Sequence, residues 1–303
     1  MSFPKLKLTA KWLFGRHEAP VRHELMPKVL YVHIPKAGGS AVNDYFRNQL
    51  GSEHCAIHAE RVLQDKSADV PAVAEKSFVS AHMLLPRLLE QLNQTDRLIM
   101  TVLRNPLEQT ISHLAWMRYQ AEKNRQAAFE ELPPHVQQLV IDLSEINLAE
   151  PKELEQFLGA LGPRVIGFFD NCQTRYLSRQ TTERVTEVQL QEAYNSLERF
   201  DIVGVAKYMQ DLFDWLSWHL GLPPADGSRR VNVSQSKYGL DVANPELTEV
   251  LAFYIQFDQQ LYCQAQRYFC TALFRLWELA ERSGSGILNR KQLSALLAQR
   301  ARE

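Results

Sequence analysis

Lys28-Val-Leu-Tyr-Val-His-Ile-Pro-Lys-Ala-Gly-Gly-Ser-Ala-Val-Asn-Asp-Tyr-Phe46 reads as strand, tight loop and helix. Val29 to Val32 is a short apolar run with β-branched residues, the mark of a buried strand. Pro35, Gly38 and Gly39 break that strand. Ser40 is placed to cap a helix whose apolar positions, Ala41, Val42, Tyr45 and Phe46, recur at helical spacing. A Gly-rich turn feeding a helix N-terminus presents backbone N–H groups at the positive end of the helix dipole. Such a turn cradles phosphate, and Lys36 adds a mobile cation. In a Walker A loop the Lys follows the glycines and directly precedes Ser or Thr. Here Lys36 precedes Gly38-Gly39-Ser40, so that order is absent.

The totals bound what surrounds this loop. A chain of 303 residues with 45% apolar content fits one large α/β domain or two smaller ones. Net charge is −1 and the isoelectric point is near 6.8, so no global basic field favours a nucleic acid or a dense polyanion as partner. Cys55, Cys172, Cys263 and Cys270 are few and irregularly spaced, the pattern of reduced, mostly buried thiols. No apolar run reaches the roughly 18 residues of a membrane span, and no signal-peptide core opens the chain.

Arg97-Leu-Ile-Met-Thr-Val-Leu103 is the clearest strand. Arg104-Asn-Pro follows it, and Pro106 suits the first turn of a helix carrying Glu108, Ser112, Trp116 and Met117. An arginine leaving a strand end can grip phosphate bidentately, and a serine two turns along the helix adds a donor. Ser77 to Ala81 is a further strand with His82 at its carboxyl end, where open α/β sheets place their ligands. His54 and His58 flank a short apolar stretch that reads as a second strand or its approach. No third metal ligand stands nearby, and no metal is expected.

His33-Ile-Pro-Lys-Ala-Gly-Gly-Ser40 resembles the 5′-phosphosulfate loop of the sulfotransferases that use 3′-phosphoadenosine 5′-phosphosulfate (PAPS). It is most similar to the His-Ile-Pro-Lys-Thr-Gly-Gly-Thr form of the heparan-type carbohydrate O-sulfotransferases, with Ala37 and Ser40 where that form has Thr. The resemblance implies that Pro35, Lys36, Ala37, Gly38, Gly39 and Ser40 hold the 5′ end of the cofactor. It implies a 3′-phosphate site from Arg104 and Ser112, matching the family's Arg-Asp-Pro motif and its Ser eight residues after the Arg, with Asn105 in place of Asp. His82 resembles the family's catalytic base, although Ala81 precedes it where Gly is frequent. Lys36, with the N–H groups of Gly38, Gly39 and Ser40, is expected to stabilise charge growing on the bridging oxygen and the 5′-phosphate. Ser228-Arg-Arg-Val-Asn-Val-Ser-Gln-Ser-Lys237 looks like the loop folded over the adenosine end, which makes Arg229, Arg230 and Lys237 candidates for the 3′-phosphate; a solvated loop is the plain alternative. Asn232-Val-Ser234 also fits a glycosylation acceptor, discounted in the absence of a secretory signal. Asn171, Gln173 and Arg175 match a recurring Asn-x-Gln-x-Arg segment that either lines the cleft or braces it. Golgi relatives carry an N-terminal anchor, so its absence implies a cytoplasmic, bacterial enzyme.

The rest of the chain reads as frame. Residues 1–27 form an N-terminal arm, either packed on its own domain or lying on a membrane surface. Residues 28–282 form the α/β domain, with a central parallel sheet flanked by helices as in nucleotide kinases, the sulfotransferase fold. Residues 119–165 are charged and helical in tone, carry no strand signal from Ala121 to Pro163, and read as an acceptor-side lid or cap. Helices are expected over 186–197, 207–220 and 245–280, and a last strand over 200–205. Phe257-Asp258 and Leu261-Tyr262 look like a packing pair known from the family. Residues 283–303 are a linker and a terminal amphipathic helix. The expected reaction is sulfuryl transfer from PAPS to an acceptor hydroxyl, on a carbohydrate by resemblance or on a lipid or small-metabolite alcohol. A kinase using ATP and Mg²⁺ lacks the Walker order and an acidic metal partner. A non-catalytic nucleotide-binding scaffold gains if His82 lies far from the loop.

Overall fold

The computed structural model describes residues 27–64, 70–92, 97–179, 183–223 and 238–283. Five strands, β1 (Lys28–Val32), β2 (Cys55–Ile57), β3 (Phe78–Ala81), β4 (Arg97–Leu103) and β5 (Ile202–Val205), form one sheet in the order β2-β3-β1-β4-β5. Every pairing is parallel. In such a sheet both faces are covered by helices, so its strands read as continuous apolar runs rather than alternating ones. β1 shows this: Val29, Leu30, Tyr31 and Val32 are all buried at the centre, with Val29 opposite Phe78 on one side and Leu98 on the other. The strands expected over 29–32, 77–81, 97–103 and 200–205 are all present, and the short stretch after Gly51 is β2.

Helix α1 (Gly39–Leu50) follows β1 and buries Val42, Tyr45 and Phe46 against the sheet. Its start differs from the expectation. Gly38, not Ser40, holds the cap position, in the left-handed conformation with φ 93°, and no side chain caps the helix. The chain must turn there through a region of φ that a residue with a Cβ resists. Ser40 is thereby the second residue of the helix, exposed.

Helix α2 (Glu60–Leu63) follows β2, α3 (Leu85–Gln91) follows β3, and α4 (Pro106–Gln120) follows β4. The 119–165 region is helical as expected, with α5 (Pro134–Ser144) and α6 (Pro151–Gly159). Its Leu139, Val140, Leu143, Leu154 and Leu158 join Leu114 and Met117 of α4 in a second apolar core. After α7 (Cys172–Leu177) and α8 (Glu187–Leu197), the latter opened by a Thr186–Gln189 capping box, the chain enters β5 and α9 (Met209–Leu220). α10 (Pro245–Ser283) contributes Leu247, Leu251 and Tyr254 to the second core and Leu261, Tyr262 and Phe269 to the first. The four cysteines are free thiols. Among the described residues, no helix is long and apolar enough to cross a membrane. The N-terminal arm and the terminal helix lie outside the described residues.

Phe46 and Phe78 join α1 to β3, fully buried, their rings stacked 4.1 Å apart. We expect Phe46→Ala to lower unfolding free energy by about 3–5 kcal/mol, read as a shifted urea midpoint at unchanged slope. Tyr31 has the opposite character, because its hydroxyl is buried without a partner among the described residues. Tyr31→Phe should hold or raise stability by up to about 1 kcal/mol, since it removes an unsatisfied polar group and keeps the ring. A clear loss in the same melt would show that the hydroxyl is satisfied.

Candidate functional site

Parallel pairing brings the carboxyl ends of all five strands to one edge. From β1 the chain turns toward β2 on one side of the sheet; from β4 it turns toward β5 on the other. Where neighbouring strands send their connections apart, a crevice opens beyond their carboxyl ends. The residues at its mouth are the 33–38 loop and Arg104.

The loop is shaped by close approaches. A Cβ on Gly39 would stand 2.0 Å from the His33 ring, and one on Gly38 would stand 2.7 Å from the Met209 methyl group. Lys36 itself adopts φ 61°. A non-glycine residue held at positive φ costs roughly 1–2 kcal/mol and marks a position that its surroundings impose. Two contacts from beyond β4 impose it: the Gln109 amide donates to the Pro35 carbonyl at 2.9 Å, and Arg104 Nη1 donates to the Lys36 carbonyl at 3.2 Å. The Lys36 ammonium lies 5.8 Å from the centroid of the Trp116 ring, within cation–π range. Burial depresses its pKa, and the Arg104 guanidinium depresses it further. Two cations are thus held together at the start of α1.

Arg104 is fixed from several directions. Its N–H and carbonyl are both bound by the Gln173 amide, at 2.9 and 2.8 Å. Its Nε pairs with Glu108 at 3.2 Å. Asn105 does what the expected Asp would do for the helix: its side-chain oxygen accepts from the Glu108 N–H, and Pro106 occupies the first turn of α4. Ser112 lies one turn beyond Glu108 on the same face of α4, buried.

Asn171, Gln173 and Arg175 brace the site. Asn171, at φ 46°, accepts from the N–H groups of Phe257 and Asp258 at 2.8 and 3.1 Å. Asp258 answers by accepting from the N–H groups of Gln173 and Thr174 and from the Thr174 hydroxyl, at 3.0, 2.7 and 2.7 Å. Burial pushes the Asp258 carboxyl up to about 6 despite these donors. Arg175 is held by Asp170 and the Glu183 carbonyl. Asp258, read as part of a packing pair, is therefore the polar anchor through which α10 holds Gln173 and, behind it, Arg104.

His82 stands beside the loop. Its Nδ1 lies 2.7 Å from the His33 carbonyl. A carbonyl only accepts, so Nδ1 carries the proton and the lone pair of the neutral ring is on Nε2. The backbone N–H of His82 donates to Glu60 at 2.9 Å, and its ring lies 3.9 Å from that of His33. Burial lowers the pKa of His82 against the pull of Glu60. The same cause takes His33 down to about 2 and His113, on α4, to about 3, and the Lys36 charge adds to each.

The structure thus brings the Pro35, Lys36, Ala37, Gly38 and Gly39 turn together with Arg104 and His82 at the carboxyl edge of the sheet, with Ser40 on α1 and Ser112 on α4. Arg229, Arg230 and Lys237 lie outside the described residues. Sequence reasoning missed Glu60, Gln109 and Asp258. Glu60 had a signal, since it lies three residues past a strand end; Gln109, in the first turn of α4, and Asp258, within α10, had none. In comparison with known proteins, the chain matches no family model, and no curated protein matches it.

Histidines held neutral make stability acid-sensitive. The unfolded chain protonates His33, His82 and His113 near pH 6.5, whereas the folded chain resists. Their contribution is complete above that pH and lost below it, by about 1.4 kcal/mol per pH unit for each of His33 and His113, and in the same direction for His82. Asp258 acts oppositely between about pH 6 and 4, because its folded pKa is raised. The net expectation is a loss of stability as pH falls from about 6.5 to 5.5, with Asp258 offsetting part of it below about pH 6, measured as a falling urea midpoint; a flat profile would show these rings to be solvated. Gln173→Ala should destabilise by about 1–3 kcal/mol and loosen Arg104, read as faster amide exchange at residues 103–105.

Proposed function

We propose that the protein is a sulfotransferase that moves a sulfuryl group from PAPS to an acceptor hydroxyl, with a carbohydrate as the favoured acceptor. The observation that carries this reading is the contact of Arg104 with Lys36 at the start of α1, next to a histidine whose lone pair is on Nε2. Two adjacent cations and a helix N-terminus call for a ligand with more than one negative charge. The bond from His82 to the loop supports an enzyme over a scaffold, because it places a proton acceptor beside the anion cradle.

In this scheme Nε2 of His82 takes the acceptor hydroxyl proton while the hydroxyl oxygen attacks sulfur. The His33 carbonyl holds the ring in the tautomer this needs, and its depressed pKa keeps it neutral near pH 7. Lys36 and the first N–H groups of α1 stabilise the charge that grows on the leaving phosphate. Arg104 and Ser112 take the 3′-phosphate and set register. Arg104 has its Nε and Nη1 engaged, and among the described residues its Nη2 makes no hydrogen bond of its own. A cytoplasmic setting belongs to the same reading.

The test is calorimetric binding of 3′,5′-adenosine bisphosphate against ATP with Mg²⁺. Tight, metal-independent binding of the bisphosphate is expected; preference for ATP would replace sulfuryl with phosphoryl transfer. Arg104→Ala should weaken bisphosphate binding about ten- to hundredfold, as loss of a charged hydrogen bond does. His82→Ala should bind it normally and lose on the order of 10²–10⁴ in turnover. Unchanged turnover would remove His82 from the chemistry.

A further inference from the structure

His58, Glu60 and His82 each bring one donor atom to within 4.8 Å of the other two. They come from neighbouring strand ends: His58 and Glu60 follow β2, and His82 follows β3, with Ile57 and Ser80 in register. Read along the sequence, His54 and His58 lack a third ligand. The fold supplies one from a segment 22 residues beyond Glu60 and leaves His54 out.

Three features distinguish this group from an incidental surface pair. His82 is oriented from behind, because Nδ1–H donates to the His33 carbonyl and leaves the lone pair on Nε2. This is the arrangement that orients metal-bound imidazoles. Glu60 is held too, with Oε2 accepting from the His82 N–H at 2.9 Å and Oε1 lying 3.3 Å from His58 Nδ1. His58 adopts φ 58°, a strained conformation for a residue with a Cβ, and the turn it makes brings its ring to Glu60 and to within 5.4 Å of the His82 ring. Two imidazoles and one carboxylate suit zinc and its transition-metal neighbours and do not suit Mg²⁺, which takes oxygen ligands. Donors bound tetrahedrally to zinc lie about 3.4 Å apart, so small side-chain rotations close the group.

We propose that His58, Glu60 and His82 form a binding site for a zinc-class divalent cation, with its remaining coordination positions open to water or to a ligand in the crevice. The site does not depend on the proposed reaction. Its consequence does: a metal on Nε2 of His82 occupies the lone pair that would accept the proton, so the cation and the base role exclude one another, and metal occupancy switches turnover off.

The experiment is calorimetry of the full chain, freed of metal by a chelator, titrated with Zn²⁺ alone and separately with Mg²⁺ alone. One Zn²⁺ per chain and no Mg²⁺ are expected. Glu60→Gln and His58→Gly should each weaken Zn²⁺ binding at least tenfold. Glycine suits a residue at φ 58°, so His58→Gly should also keep the melting temperature, which separates lost ligation from lost folding. Absence of Zn²⁺ binding, or undiminished binding in His58→Gly, would overturn the site; the latter would move the metal to a thiol such as the exposed Cys263. Zn²⁺ that binds as expected in a chain indifferent to adenosine bisphosphate would support the site and sink only the sulfuryl-transfer reading.

Discussion

The parallel pairing of β1 between β3 and β4 is the constraint on which the site depends. It puts the loop after β1 between the ends of its two neighbours, so groups from three separate stretches of chain meet there. From the β4 side come Arg104 and Gln109, which bond the loop's carbonyls. From the β3 side comes His82, which bonds the carbonyl of His33. An antiparallel partner on either side would point its carboxyl end to the opposite edge and leave the loop without one of these supports.

The edge is costly to build. Lys36 and Arg104 repel, His33, His82 and His113 are denied their protons by burial, and Lys36, His58 and Asn171 sit at positive φ. The compensation is distributed through the frame. Asp258 on α10 fixes α7; α7 presents Gln173; Gln173 fixes the backbone of Arg104. The second apolar core anchors the far half of α4, whose first turn carries Glu108 and Gln109. Strain is thus concentrated at one edge, and the support that holds it is drawn from remote helices.

The frame was legible because it is written in local physics. A run such as Leu98 to Leu103 has too many adjacent apolar residues for a surface helix and too few for a membrane span, so it reads as a buried strand, and four of the five strands declare themselves this way. The Gly38-Gly39 turn announces a sharp reversal before a helix. The cap at its start was misassigned to Ser40 because sequence reading weighs side-chain capping and cannot see that the backbone must cross to positive φ at Gly38.

By itself the sequence determined the parallel α/β class and raised Lys36, Arg104 and His82 as candidates, because each is a property of a strand and the few residues after it. Only the tertiary structure decided which strand ends are neighbours. That is a property of the sheet order, set by long-range packing, and no local spacing encodes it. It paired Lys36 with Arg104, turned Asn171, Gln173 and Arg175 from possible cleft lining into a brace anchored on Asp258, and joined His58 and Glu60 to His82.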